Sequence, residues 1–597
     1  MGFPDTRLLP ATILALLCGV LAAPAFGADA VEVGRRIYQE GVLSDGSVLR
    51  GTRLDGTVVT GADATCAQCH RPSGMGAVEG DIQAPPVTGN ALFSTGDRVI
   101  ATMDPRSGKA FNRAHEPYTD ATVVAAVREG RRVDGQKMQP LMPRYRLGPA
   151  DMDALVAYLH SLSSSWSPGV DDSTIHFATV VAPDVPAARR ALFIDMAKKI
   201  VAQKNGSTMT ASTGRSRHHM TSAAELVLGT ERRWVLDVWE LHGAPDTWAA
   251  QLETNYARQP VFALVSGLGG SDWGPVDSFC DRERVPCWFP SVTMPPANAP
   301  RYSLYFSGGV VLETRVLATQ LMLPEASPTH RVIQVFRDDA TGRGAAKALT
   351  DALASSKVQV VDRIISGDAA TAVQGAVADA GPSDVVMFWL AEPDVAQLQA
   401  FAPPVGHSYF SAVLGGAERI PLKGAWRTSA QLVYPYELPG RRAANLAYFK
   451  AWLNQRHIPL DDEIMQSQVY FSFAFLTDTI SEMLNNLHRD YLLERAETMI
   501  AKREGSKAEA EYYSSTQNHV RTHAQSAGVI ADHAASVEAP GLQALQLAGS
   551  SFGKREGTTV FPRLTLGPGQ RFASKGGYIA HFDGDGALVA DSAWSVP

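Results

Sequence analysis

The pentapeptide Cys66-Ala67-Gln68-Cys69-His70 constrains this chain more than any other stretch. Two thiols at i and i+3 fall on one face of a helical turn, with an imidazole directly after them. That spacing suits two thioether bonds to the vinyl groups of a haem, and a histidine ligand on its iron. A thioredoxin-like redox pair would need a β-strand leading into the motif. Half of a zinc site would need a second Cys/His pair at zinc spacing. The sequence offers neither. The motif occurs once, so the expectation is one covalent haem c, and a two-haem peroxidase does not fit.

The remaining cysteines point to export. Of 5 in all, Cys18 lies in the apolar run from Leu8 to Ala23, behind Arg7. That run is too short, and too broken by Pro10 and Pro24, to span a bilayer comfortably. Small residues from Ala25 to Ala30 offer cleavage sites, so residues 1–27 read as a signal peptide and the location as periplasmic. Leu17, in front of Cys18, argues against a lipoprotein. Cys280 and Cys287 are left over, and an even remainder in an oxidising compartment reads as one disulfide. The apolar stretch Ile464 to Leu487 is interrupted by Asp478 and Glu482 and is expected to be a buried helix, so no later segment spans a membrane. A net charge of −7 recommends neither nucleic acid nor an anionic membrane as a partner. With 597 residues, 45% of them hydrophobic, the chain needs more than one core.

Residues 30–162 read as a small helical domain and 163–174, rich in Ser, as a linker. Helices are expected over Val31–Glu40, over the run ending at the glycine stop Gly130, and from Pro149 onward. In the last, Met152, Leu155, Val156 and Leu159 form one apolar stripe. Gly34 permits close approach by another helix, with Tyr38 on the same face. Glycines and β-branched residues between Asp45 and Gly61 suggest a hairpin or loop. For a second axial ligand, Met75 lies too close to His70 to reach the other face of the ring. Met103, Met138, Met142 and Met152 remain. Met152 belongs to the core stripe, whereas Met142 stands in a rigid Met-Pro turn that suits a ligand held against iron. Met142 is the first choice and Met138 the second. Taken together, the Gly34/Tyr38 helix, the haem motif, Met142-Pro143 and the last helix with Tyr158 resemble a class I cytochrome c. The resemblance implies an all-α domain, His70/Met142 ligation and one-electron transfer. The long Val42–Thr65 segment departs from the simplest members of that family.

From residue 175 to 597 apolar runs alternate with amphipathic ones. Strands are expected at 175–181, 234–239, 261–267, 330–336, 358–365, 384–390 and 409–416, with helices such as Pro186–Asn205, Thr247–Arg258 and Gly344–Ser355 between them. This implies parallel sheets in two doubly wound lobes. Residues 496–547, polar and charge-rich, read as a peripheral insertion. The stretch from Pro260 to Pro296 resembles the type I periplasmic binding proteins, especially branched-chain amino acid receptors of ABC transport. The resemblance implies a ligand cleft at a Ser/Gly turn. Ser266, Gly269 and Ser271 would present N–H groups and hydroxyls to an anion, with Ser291 and Thr293 completing the site. Trp389 and Tyr436 would stack on the ligand. Departures from the family make an amino-acid ligand doubtful: there is no tyrosine after the strand ending at Phe336, and the first strand-to-helix turn is not Gly-rich. His218 and His219 read as an exposed basic loop rather than a copper site.

The fold class is therefore multidomain, an all-α cytochrome c domain followed by a two-lobed α/β binding module. The expected function is electron transfer without enzymatic catalysis, serving a periplasmic dehydrogenase or respiratory chain. Expected partners are a redox protein (a dehydrogenase, a cytochrome or an oxidase) and a small-molecule ligand. Competing readings are a transport receptor for amino acids, amides or carboxylates, which requires an ABC permease, and a ligand or redox sensor.

Overall fold

The computed structural model describes residues 23–79, 82–94, 115–212, 232–270, 272–323, 331–404, 406–501 and 559–597. Residues 1–22 of the signal segment, Met103, His218, His219, Ser271 and residues 502–547 of the expected insertion lie outside them. The chain divides into two compact units. Unit 1 comprises the residues through Ser167 with Asn485–Tyr491, and unit 2 comprises Pro168–Leu484 and Leu492–Pro597.

In unit 1 the helices are α1 (Ala23–Glu40), α2 (Ala67–His70), α3 (Gly89–Phe93), α4 (Asp120–Glu129) and α5 (Pro149–Ser161). Helix α4 forms where the sequence signals it. Thr119 and Thr122 make a reciprocal capping box, and Gly130 closes the helix in the left-handed conformation, φ 65°. The expected stripe of α5 is buried: Met152, Leu155, Val156 and Leu159 join Ile37, Tyr38, Val123 and Val127 in one core. Helix α1 crosses α5 at Gly34, where a Cβ would lie 2.0 Å from the Ala154 carbonyl oxygen, so only glycine allows the approach.

The unit is not wholly helical. The segment between Asp45 and Gly61 forms β1 (Arg50–Thr52) and β2 (Val58–Thr60), an antiparallel hairpin. Strand β1 also pairs with β5 (Arg144–Tyr145), which sets Gly51 opposite Tyr145 and Thr52 opposite Arg144. A second antiparallel pair joins β3 (Ala77–Glu79) to β4 (Ile82–Ala84). These short strands sit beside the helices; of the hairpin or loop expected here the hairpin forms, because Asp55-Gly56 closes a turn in a segment of β-branched residues.

Unit 2 contains two sheets. The first is parallel, in the order β11-β9-β6-β8-β10-β12-β18 with β7 paired to β6. Its strands are β6 (Thr174–Val181), β7 (Arg233–Glu240), β8 (Ala263–Val265), β9 (Leu268–Gly269), β10 (Cys287–Trp288), β11 (Ser291–Val292), β12 (Ser303–Ser307) and β18 (Phe572–Ser574). The second has the order β14-β13-β15-β16-β17-β19-β20. It comprises β13 (Arg331–Arg337), β14 (Gln359–Ile365), β15 (Asp384–Trp389), β16 (His407–Ser411), β17 (Ala430–Tyr434), β19 (Tyr578–Phe582) and β20 (Leu588–Ala590). Its last two strands run antiparallel to their neighbours, so this sheet is mixed rather than wholly parallel.

Crossover helices include α6 (Ala187–Ser212), α7 (Trp248–Arg258), α8 (Gly274–Arg282), α9 (Gly309–Leu321) and α10 (Ala340–Leu353). The stretch expected as a buried helix forms α11 (Glu463–Met483), capped by the Asp462 side chain. Among the described residues no helix is long and apolar enough to cross a membrane. Cys280 and Cys287 form a disulfide that ties the end of α8 to β10.

Candidate functional site

The haem motif begins where a 3-10 turn, Gly61–Ala64, hands the chain to α2. Cys66 is half-buried, Cys69 is exposed, and neither is in a disulfide. Burial pushes the Cys66 thiol up to about 12, away from the reactive thiolate of a redox pair. His70 Nδ1 lies 2.8 Å from the Pro85 carbonyl oxygen. A carbonyl only accepts, so Nδ1 carries the proton and Nε2 keeps its lone pair free for a metal. Burial also lowers the His70 pKa, which favours the neutral imidazole that a ligand must be.

The surrounding loop is fixed by long-range bonds. Tyr38 on α1 donates to the Arg71 carbonyl at 2.8 Å, and Gln39 donates to the Tyr158 hydroxyl at 3.0 Å. Gly76 N–H returns to the His70 carbonyl at 3.0 Å. Unpaired thiols at i and i+3, a histidine with a defined tautomer and an apolar wall from Leu49, Tyr145 and Leu155 fit a covalent haem.

The candidate methionines separate by burial. Met75 (5% exposed) and Met152 (2%) are packed into the core. Met142 and Met138 are half-buried. Met142 sits in a turn whose N–H bonds the Gln139 carbonyl, and Arg144 donates to the Met142 carbonyl. Pro143 packs over Gly51, where a Cβ would lie 2.8 Å from the proline Cβ. Met138 ends a tight turn, its N–H on the Gly130 carbonyl.

In unit 2 the expected anion turn is occupied by the chain's own groups. Ser266 N–H bonds the Trp288 carbonyl at 2.8 Å, and its buried Oγ has no partner. Gly267 and Gly269 carry the Trp273 indole, which a Cβ on either would meet at 3.0 or 2.8 Å. Gly270 gives its N–H to the Asp184 carboxylate, so an acid already stands at the turn. Asp184 is raised by burial and then by Asp272, so a further anion there would meet two carboxylates. Ser291 Oγ donates to Gln468 at 2.6 Å, and the Thr293 carbonyl accepts from Val310. Trp389 is buried with its indole on Gln334, and Tyr436 packs between Tyr434 and Phe561.

A cavity of about 360 Å³ lies elsewhere, lined by Ala188, Arg189, Leu192, Glu392, Arg419, Asp461 and Asp462. Arg189 pairs with Asp462 at 2.8 Å, and Arg419 donates to the Asp461 carbonyl. None of the described residues expected to hold a ligand lines it. Tyr436 is within electrostatic reach of Arg189 and Asp462. The cavity residues follow β6 of one sheet and β15, β16 and β17 of the other, a placement no local motif signals.

Residues 58–163 match the family model for cytochrome c. No curated protein matches the chain. Solved structures similar to it include a fatty acid ABC transporter substrate-binding protein from Thermomonospora curvata, at 13% identity, 72% of this chain, 95% of that one and TM-score 0.44. A branched chain amino acid ABC transporter from Thermus thermophilus with bound valine gives 11%, 72%, 98% and 0.47. A possible leucine/isoleucine/valine-binding protein from Rhodopirellula baltica SH 1 gives 12%, 71%, 98% and 0.44. Nothing about ligand or role follows from likeness at this level. The chain thus carries a cytochrome c domain at residues 58–163, followed by a larger α/β module with one parallel and one mixed sheet.

Proposed function

We propose that the chain is an exported, periplasmic one-electron carrier. It holds one haem c through Cys66 and Cys69, with His70 and Met142 on the iron, and its α/β module binds a small polar ligand. The observation that carries this reading is the His70–Pro85 hydrogen bond beside two unpaired thiols, inside the stretch similar to cytochrome c. When bound, haem c supplies a one-electron Fe(III)/Fe(II) couple. The chain's residues hold and insulate. Pro85 orients the imidazole, Tyr38 ties α1 to the loop after His70, and Pro143 stiffens the turn that presents the Met142 thioether. A neutral sulfur ligand in apolar surroundings raises the potential. The partner is a periplasmic dehydrogenase, cytochrome or oxidase. A cavity of about 360 Å³ with both signs of charge suits a hydrogen-bonding or zwitterionic solute.

The test uses the full-length, haem-loaded protein. Met142→Ala should abolish the sulfur-to-iron absorption of the oxidised form and lower the midpoint potential, while Met138→Ala keeps both. The opposite pattern would give the ligand position to Met138. Thermal unfolding against a panel of amino acids, amides and carboxylates tests the module, since a bound solute raises Tm by mass action. No shift at millimolar concentrations across the panel would remove ligand binding from the reading.

A further inference from the structure

The cavity of about 360 Å³ in unit 2 carries more acid than base. Glu392, Asp461 and Asp462 line it with carboxylates, against the guanidiniums of Arg189 and Arg419. A ligand meets only those charges that the chain has not already engaged. Arg189 Nε and Asp462 Oδ2 pair at 2.8 Å. The other Asp462 oxygen caps α11, accepting from Met465 N–H at 3.0 Å. That pair is closed, and its charges cancel.

The other three charges are open. Glu392 begins the short helix Glu392–Val395, and its carboxylate lies against Gly416. Gly416 has φ 85°, and a Cβ there would collide with the carboxylate, so the glycine makes room for it. Asp461 stands on a fixed turn. The buried Gln466 side chain accepts from Asp461 N–H and Asp462 N–H, each at 2.9 Å, and donates to the Pro459 carbonyl at 2.8 Å. Among the described residues, neither the Glu392 nor the Asp461 carboxylate has a hydrogen-bond or ionic partner. Arg419 donates to the Asp461 main-chain carbonyl at 2.6 Å, an acceptor without charge, so its guanidinium keeps its cation and further donors.

These open groups set a ligand chemistry. An ammonium brings three donors to a carboxylate, and a carboxylate matches the fork of a guanidinium. A dicarboxylate would face two open acids with one cation to hold it. A neutral α-amino acid would leave one of the acids unpaired. A quaternary ammonium has no hydrogen to donate, and no aromatic ring lines the cavity to cage it.

We propose that the cavity selects a diamino acid, a solute whose two ammonium groups meet Glu392 and Asp461 and whose single carboxylate meets Arg419. The proposal deepens the reading of unit 2 as a solute-binding module and rests on it.

The experiment uses the full-length, haem-loaded protein and follows unfolding by tryptophan fluorescence. L-Ornithine, L-leucine, glutarate and tetramethylammonium are each titrated at constant ionic strength, and Kd is read from the rise in Tm. Ornithine should bind about tenfold or more tightly than leucine, the worth of one charged hydrogen bond. Glutarate and tetramethylammonium should leave Tm unchanged. Glu392→Gln and Asp461→Asn should each raise the ornithine Kd by about tenfold or more. Glu240→Gln, which removes the partner of Arg190 outside the cavity, should keep it. Leucine or glutarate binding as tightly as ornithine, or an ornithine Kd unmoved in both cavity variants, overturns the proposal and leaves the solute-binding reading standing. Should a variant fail to accumulate, the order of the solutes on the wild type decides alone. No shift from any solute removes the proposal and the solute-binding reading together.

Discussion

Glu313 is fully buried on α9 and should make unit 2 lose stability as pH rises. One carboxyl oxygen faces Ser411 Oγ at 2.5 Å and the other accepts from Val413 N–H at 2.9 Å. Among the described residues no cation offsets the charge, and burial pushes the group from 4.5 up to about 8. The folded value lies above the unfolded one. The stabilising contribution is therefore complete below about pH 4.5 and is lost as pH rises through 8. At about 1.4 kcal/mol per pH unit over that window, the loss is about 3 kcal/mol at pH 7 and about 4 kcal/mol at pH 8. Glu313→Gln keeps the shape, with the amide oxygen on Val413 N–H and the amide nitrogen facing Ser411, and removes the titration. The variant should thus be more stable than wild type by about 3 kcal/mol at pH 7, with the gap closing to under about 1 kcal/mol at pH 5. Urea unfolding followed by tryptophan fluorescence reads this, because Trp166 apart all of the 10 tryptophans belong to unit 2. A gap independent of pH, or a wild type that gains on the variant between pH 5 and 8, would refute the reasoning.

Unit 1 should show the opposite pH dependence through His488, which burial lowers from 6.5 to about 4. The unfolded chain takes up this proton first, so stability is lost as pH falls from 6.5 through 4, by up to about 3 kcal/mol. His488→Asn should flatten the acid limb of a melting curve read in the haem band. Gly34→Ala forces a Cβ onto the Ala154 carbonyl and should cost unit 1 about 3 kcal/mol, the upper end for overpacking. The same haem-band melt checks it, and a wild-type midpoint would mean that α1 and α5 separate freely.

Local chemistry was legible where neighbours in sequence do the job. Gly130 marks the end of α4 because a cap acts within one turn. The stripe from Met152 to Leu159 marks the buried face of α5 because a helix repeats every 3.6 residues. Cys66, Cys69 and His70 stand out because two thiols at i and i+3 with an imidazole after them fall within one helical turn. Between Asp45 and Gly61 the sequence left a hairpin or a loop open, and the turn at Asp55-Gly56 makes it a hairpin.

Other features needed the folded chain. Pro85 holds His70 from 15 residues away, and Tyr145 reaches Ala64 across 81. No sequence period encodes such pairings, which exist only once the chain has folded back on itself. The Ser/Gly turn at 266–270 looked like an anion cradle, but Asp184, from a different strand end, takes the Gly270 N–H and Trp273 fills the space. The alternation of apolar and amphipathic runs by itself determined a layered α/β module after a helical domain, because a strand buried on both faces reads as a continuous apolar run and a helix buried on one face as a periodic one. Which groups brace the loop after His70 and which charges line the cavity were decided by tertiary structure alone, because the topology brings together residues that are remote in the chain.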